Sequence, residues 1–295
     1  MDNLITVNID EKLNNKMVKE ILFEYLDLSN ALVKKLKQTD DGIMVNGVKV
    51  YVTRVLKTGD KLVVNIRDKR SENIVPEEIS LDILYEDEDI IVINKKRGMP
   101  THPSHNHHND TLANGLMNYF KDKEFTFRAI TRLDKDTSGV VLVAKNLISA
   151  QLLGKAIREK KIFKEYVAVI NGIINPMKGE MNFPIKRREE GIILRCVAPD
   201  GKESLTEYST LKTFGDLSLV KLIPVTGRTH QLRVHLSHIG HPIYGDDLYN
   251  APQKDESLKL HCRKLTFNHP TSDKLISIEA PIPDDIEELT DKKRF

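Results

Sequence analysis

The stretch Arg132-Leu133-Asp134-Lys135-Asp136-Thr137-Ser138-Gly139 sets Asp134 where a β-prone segment, Phe127 to Leu133, ends. A Thr-Ser-Gly turn then leads into the apolar run Val140 to Ala144. A carboxylate on a turn between buried strands is held rigidly yet reaches a cleft, where it can act as a nucleophile or as a base. Asp before Thr or Ser also makes a common local turn by bonding its own backbone. From local pattern alone, that turn-forming role is the stronger reading.

A second stretch, Thr226-Gly227-Arg228-Thr229-His230-Gln231-Leu232-Arg233-Val234-His235, reads as a tight turn at Gly227 followed by a helix. Thr229 would cap that helix, and Leu232, Leu236 and Ile239 would be its apolar face. Arg228, Arg233 and His235 would then project from a helix start, which favours anions; a solvated basic face is an equal alternative. The histidines His102, His105, His107, His108, His230, His235, His238 and His241 suggest metal ligation. However, no Cys or Glu stands at a ligand-like interval, and the spacing fits neither a zincin nor a zinc finger, so no metal is expected. From Lys155 to Arg195, ten cations face five anions, a bias that suits a phosphate backbone although such runs are more often solvated faces.

These residues need elements to position them. Val18, Ile21, Leu22, Tyr25 and Leu26 fall at helical spacing within Lys12 to Leu26. Ser29-Asn30 offers a cap for a second helix carrying Leu32, Val33 and Leu36. Asn46-Gly47 between β-branched residues predicts a hairpin, Thr58-Gly59-Asp60 a turn, and Leu62, Val64 and Ile66 a strand. Arg67 to Pro76 is polar and closed by proline, which reads as a linker. Beyond it, strand-like runs at Ile90 to Asn94, Gly139 to Ala144, Tyr166 to Ile170 and Ser218 to Ile223 alternate with helical segments near Thr111 to Phe120 and Leu147 to Ile157. From Pro281 a short acidic helix or a solvated end is expected. The pattern predicts a mixed α/β or α+β domain after a small unit.

The chain has 295 residues, 40% of them hydrophobic, which is ample for a core. A net charge of +2 excludes gripping nucleic acid by bulk charge alone but permits a local basic cleft. Cys196 and Cys262 match no metal or redox spacing and suit a reducing compartment. The N-terminus lacks an export signal, and no apolar run approaches the roughly 20 residues that span a bilayer. A soluble, cytoplasmic monomer without membrane contact is expected.

Taken together, these stretches resemble the RluA-type pseudouridine synthase family. The likeness is carried by RLDKDTSGVVLVAK (Arg132 to Lys145), KEYVAVING (Lys164 to Gly172), TGRTHQLRVHLSHIGHPIYGDDLY (Thr226 to Tyr249), LHCRKLTFNHPT (Leu260 to Thr271) and APIP (Ala280 to Pro283), in that order. More weakly, GIMVNGVKV followed by VLKTGDKLVV is similar to the RNA-binding domain named after ribosomal protein S-four. The resemblance implies an α+β fold with a mixed, mainly antiparallel central sheet and flanking helices. It also implies a division into residues 1–70 (RNA-binding), 71–80 (linker) and 81–295 (catalytic). By the same resemblance Asp134 is the catalytic carboxylate, Tyr166 lies against the target base and serves as a candidate base, and Arg233 pairs with Asp134. Arg132 takes the space left by the flipped uridine, with Arg228, Lys34 and Lys35 as further RNA contacts. Two departures are visible: Thr131 stands where a His commonly precedes Arg-Leu-Asp, and Lys95-Lys96-Arg97-Gly98 replaces Lys-Pro-x-Gly.

The implied reaction breaks a carbon–nitrogen glycosidic bond, turns the uracil and reattaches it through carbon. It requires a carboxylate and a flipped base, and no cofactor is expected. The planar guanidinium of Arg233 suits an ionised carboxylate better than a Lys would. The expected partner is RNA, ribosomal RNA ahead of transfer RNA. Two rivals are a non-catalytic RNA-binding protein, which leaves Asp134 and Arg233 without a role, and a metal-dependent hydrolase built on the histidines.

Overall fold

A computed structural model of the chain describes residues 2–26, 28–67, 71, 73–189, 193–250 and 257–292. The chain opens with strand β1 (Asp2–Asn8) and a short helix α1 (Val18–Glu20) that continues as a π-turn over Ile21–Tyr25. Helix α2 (Asn30–Gln38) and strands β2 (Ile43–Val45), β3 (Val48–Lys49) and β4 (Lys61–Arg67) come next. The four strands form an antiparallel sheet ordered β1-β4-β2-β3. Asn46 and Gly47 take the positive φ that the predicted hairpin requires, and the Ser29 hydroxyl caps α2 by accepting the Leu32 N–H at 3.3 Å. Val18, Ile21, Leu22, Leu32, Val33 and Leu36 bury against Val45, Leu62 and Val64.

Two local features depart from the sequence reading. Helix starts only at Val18, because Asp10 captures the N–H groups of Lys12 and Leu13 and Asn15 turns the chain at φ 62. Strand β1, which no local pattern announced, exists because the distant β4 offers it a pairing edge.

The stretch read as a linker, of which residues 68–70 and 72 lie outside the described residues, is largely fastened to the larger unit. Ser71 exchanges hydrogen bonds with Phe125 and Phe127, Ile74 is buried, and Val75 and Glu77 bond Asn114. That larger unit begins with β5 (Ile83–Glu86), β6 (Ile90–Lys95), α3 (Leu112–Tyr119), β7 (Arg128–Ala129), β8 (Ser138–Ala144), α4 (Leu147–Arg158), β9 (Phe163–Asn171) and β10 (Lys178–Asn182). A separate ribbon, β11 (Ile185–Arg187) with β12 (Arg195–Val197), precedes β13 (Leu205–Phe214), β14 (Leu217–Pro224), α5 (Gln231–His238), β15 (Leu260–Asn268), β16 (Leu275–Glu279) and α6 (Asp284–Lys292).

The large sheet is ordered β10-β13-β14-β9-β15-β8-β6-β5, with β16 beside β15 and β7 beside β8. Only β15 and β8 run parallel; every other pair in it is antiparallel. This is the expected α+β fold with a mixed, mainly antiparallel sheet. Strand β8 is buried along its whole length, as an unbroken Val-Val-Leu-Val-Ala run should be when both faces are covered. Leu112, Leu116 and Met117 of α3 and Leu153 of α4 join the same core. The acidic tail forms α6, with Asp284, Asp285 and Glu287 in its first turn complementing the helix dipole and Ile286 buried against Val169, Phe214 and Leu217. Among the described residues, no helix is long and apolar enough to cross a membrane.

Candidate active site

Sheet register brings the proposed chemistry together. Strand β15 aligns Cys262 with Gly139 of β8 on one side and with Tyr166 of β9 on the other. The turn that carries Asp134 feeds β8 at this row. Gly139 stands at φ 112, and a Cβ there would collide with the backbone of Cys262, so only glycine lets the turn enter the sheet so close to its neighbour.

The backbone around Asp134 is pinned from several directions. Thr101 donates its hydroxyl to the Leu133 carbonyl at 2.9 Å and accepts the Leu133 N–H at 3.3 Å. Thr131, in the position that departs from the family pattern, is buried and accepts the Leu142 N–H at 2.9 Å. Lys95, 1% exposed, donates to the carbonyls of Lys96, Met99 and Lys135 at 2.9, 2.7 and 3.0 Å. Those three acceptors match the three N–H groups of an ammonium. Burial pulls the pKa of Lys95 down to about 7 against the charges of Asp136 and Asp134.

The predicted turn is present, but it closes through the Asp134 carbonyl, which accepts the Thr137 N–H at 3.2 Å. The carboxylate itself accepts no hydrogen bond among the described residues, and its side chain is 34% exposed. Its nearest basic group is His230, with Nε2 3.9 Å from Oδ2.

Tyr166 is 7% exposed and stands opposite Cys262 across the β9–β15 pair. Burial first, then Cys262 and the charge of Asp134, drive its pKa well above the ordinary tyrosine value. The phenol therefore stays protonated, which suits a packing surface and opposes the role of a base. Burial likewise pushes the Cys262 thiol up to about 11.

Arg233 is near, but it does not form the expected pair with Asp134. Its Nε and Nη2 form a fork on Asp246, at 2.8 and 2.6 Å, with both side chains essentially buried. Oδ1 of Asp246 also accepts the N–H groups of Leu248 and Tyr249. The reason is geometric: a buried guanidinium needs a fixed bidentate partner, and the loop after α5 supplies one that the turn before β8 does not. Burial opposes the charge of Arg233, but the bonds and charge of Asp246, with a further contribution from Asp134, raise its pKa. Asp134 and Arg233 thus interact through space.

The helix-start reading also changes. Thr229 does not cap α5; the capping position is His230, which adopts φ 56 and makes no side-chain cap. The positive φ falls on His230 and not on Gly227. His235 does not project; it is buried, bonded to the Thr206 hydroxyl and the Phe183 carbonyl. Arg228 is exposed and its Nε donates to the Glu203 carbonyl at 3.0 Å. Gln231 fastens this turn to β13 by accepting from the Arg228 N–H and the Thr226 hydroxyl and donating to Leu205 and Thr206. Arg132 is exposed and has no hydrogen-bond partner among the described residues. Lys34 and Lys35 are exposed on α2, in the four-stranded unit and outside this cluster.

Asp246, Tyr249, His230 and Lys95 escaped the sequence reading as site residues. Asp246 and Tyr249 lie inside the Thr226 to Tyr249 motif, and the Asp-Asp pair after Gly245 was the available signal. Nothing in the local pattern marks a left-handed histidine.

Comparison with known proteins places this geometry. The profile described as RNA pseudouridylate synthase matches residues 89–238. The Uncharacterized RNA pseudouridine synthase YjbO of Bacillus subtilis (strain 168) is 37% identical over 92% of this chain and 97% of its own length. The Ribosomal large subunit pseudouridine synthase D of Haemophilus ducreyi is 34% identical over 87% and 86%. Among solved structures, Human RNA Pseudouridylate Synthase Domain Containing 1 superposes with a TM-score of 0.60 at 30% identity, over 70% of this chain and 84% of that one. The chain belongs to the RNA pseudouridylate synthase family. It is an isomerase that acts on RNA, and the RluA-type resemblance read from its motifs holds.

Proposed function

We propose that this enzyme converts uridines of ribosomal RNA to pseudouridine with Asp134 as the catalytic carboxylate. The observation that supports this role is the spare carboxylate: Asp134 has a rigidly tied backbone, a half-buried side chain and no hydrogen bond among the described residues, and its charge acts on both Tyr166 and Arg233. In the reaction the N1–C1′ bond breaks, the uracil turns, a C5–C1′ bond forms, and the hydrogen on C5 leaves as a proton. Asp134 acts at the ribose during cleavage. The neutral Tyr166 ring gives the extruded uracil a surface to pack on. Arg132, exposed and without a hydrogen-bond partner among the described residues, takes the place of the flipped base, and Arg228 meets phosphate at the rim.

Ribosomal RNA is favoured over transfer RNA because relatives covering most of the chain carry the name ribosomal large subunit pseudouridine synthase D. Residues 1–70 act as an S-four-like RNA-binding unit through Lys34 and Lys35, and residues 81–295 as the catalytic unit, in a cytoplasmic monomer. The test is tritium release from RNA labelled at C5 of uridine, with ribosomal and transfer RNA assayed separately. Asp134→Asn should abolish release while leaving RNA affinity and melting temperature nearly unchanged, because Asn keeps the shape without the carboxylate. Turnover by that variant would remove Asp134 from the mechanism; release from transfer RNA alone would overturn the choice of substrate.

A further inference from the structure

His230 holds a strained backbone and uses its side chain in an unexpected way. A non-glycine residue here takes the left-handed conformation, φ 56 and ψ 20, which L side chains rarely adopt. It heads α5, where Ser, Thr, Asp or Asn would cap the helix, yet its ring makes no capping bond. The buried ring lies instead between two other groups. Nδ1 is 2.7 Å from the Tyr249 hydroxyl and Nε2 is 3.9 Å from Oδ2 of Asp134.

Tyr249 decides which way that bond runs. Its oxygen already accepts the main-chain N–H of Arg195 at 2.9 Å. Its hydrogen has one acceptor among the described residues, Nδ1 of His230. Burial, first of all, raises the Tyr249 pKa, so the hydroxyl keeps that hydrogen. Tyr249 therefore donates to Nδ1, and the neutral imidazole carries its own hydrogen on Nε2, the nitrogen that faces Asp134. The groups around the ring are Asp134 from the turn before β8, Arg233 from α5, Arg195 from β12, and Asp246 with Tyr249 from the loop after α5. Burial, helped by Arg233 and Arg195, holds the ring below its ordinary pKa against the pull of Asp134 and Asp246. The Tyr249 ring is itself fixed, with the Arg233 guanidinium 5.3 Å from its centroid and the His230 ring edge-on at 5.6 Å.

We propose that His230 is a positioning residue: an Nε2–H donor, set in its tautomer by the Arg195–Tyr249 relay, that holds one oxygen of the Asp134 carboxylate and leaves the other for the ribose. The inference rests on Asp134 being the catalytic carboxylate. The 3.9 Å gap closes to a hydrogen bond when RNA fills the cleft. A doubly protonated ring would clamp Asp134 as an ion pair and withdraw it from the ribose, so turnover needs the neutral form.

The experiment measures kcat and KM by tritium release from C5-labelled total RNA of cells lacking the enzyme, from acid to neutral pH. His230→Asn should fold with the wild-type melting temperature, because Asn adopts the left-handed conformation readily. It should lose kcat on the order of a hundredfold at unchanged KM, because its amide falls short of Asp134. His230→Gln, whose amide nitrogen reaches the position of Nε2, should recover most of that loss and flatten the acid limb of the profile. Tyr249→Phe should lower kcat roughly tenfold at neutral pH. It should also move the acid limb to higher pH, since the ring loses a donor that stabilised its neutral form.

Wild-type kcat in His230→Asn, a Gln variant no better than Asn, or an unmoved acid limb in Tyr249→Phe would each overturn the relay. Turnover by Asp134→Asn would remove the reading beneath it. A dead Asp134→Asn beside a fully active His230→Asn would overturn the relay alone.

Discussion

Asp246 and Asp134 both act on Arg233, one by contact and one by its charge, and the fold treats them oppositely. Asp246 is fully buried and saturated, holding the Arg233 fork and two backbone N–H groups. Asp134 is a third exposed, its backbone tied on both sides and its carboxylate left without a hydrogen bond among the described residues. A carboxylate whose lone pairs are all in use holds a structure together; one held still but unused is available to a substrate. Arg233 can influence the second because the first fixes it in place.

The contrast predicts where each substitution does its damage. Asp246→Ala should cost about 3–5 kcal/mol of stability, because it leaves a buried guanidinium unpaired, whereas Asp134→Ala should stay within about 1 kcal/mol. Urea or thermal unfolding of both variants checks this, and equal losses would erase the distinction. Arg233→Ala should match Asp246→Ala in stability and also lose activity. The double variant Arg233→Met/Asp246→Leu should regain most of the stability and none of the activity. A double variant with normal tritium release would show that Arg233 serves the fold alone.

A smaller effect tests the sealed side of the site. His261, fully buried beside Ser138 at the start of β8, is held by burial at about 4 instead of the ordinary 6.5. As pH falls, the unfolded chain takes up this proton near 6.5 and the folded chain only near 4. Stability should therefore decline through that window by about 3 kcal/mol and level off below it. His261→Leu should flatten the decline; an unchanged slope would show that the acid sensitivity lies elsewhere. The smallest effect belongs to the four-stranded unit. Lys34→Ala/Lys35→Ala should leave stability and kcat intact and reduce the salt slope of RNA binding by about two, one for each lost phosphate contact. An unchanged slope would place the RNA-facing edge elsewhere.

Much of this molecule was legible in its sequence where the signal is local. Ser29 and Asn46-Gly47 each act within a few residues and formed the element their pattern predicted, and the acidic tail took the helical one of its two readings. The β8 run and the helix capped at Thr111 formed for the same reason. Pairings between distant residues were not legible: β1 with β4, Arg233 with Asp246, Lys95 with the Lys135 carbonyl. Asp247 lies 3.5 Å from the same guanidinium and the charge of Asp134 also acts on it, and spacing could not say which carboxylate would take its fork. His230 is the sharpest case, since its place beside Asp134 follows from a left-handed backbone that nothing in the neighbouring sequence marked.

The bond from Arg195 to Tyr249 is made by the main chain. Any residue at position 195 except proline offers the same N–H, so the hold on the Tyr249 hydroxyl would outlast the Arg195 side chain, and only the charge that helps keep His230 neutral would go with it. Arg187 and Arg188, exposed on the β11–β12 ribbon or next to it, can be exchanged in the same way. The outer face of this ribbon can thus change its charge at these two positions while the backbone bond that orients the Tyr249 hydroxyl stays in place.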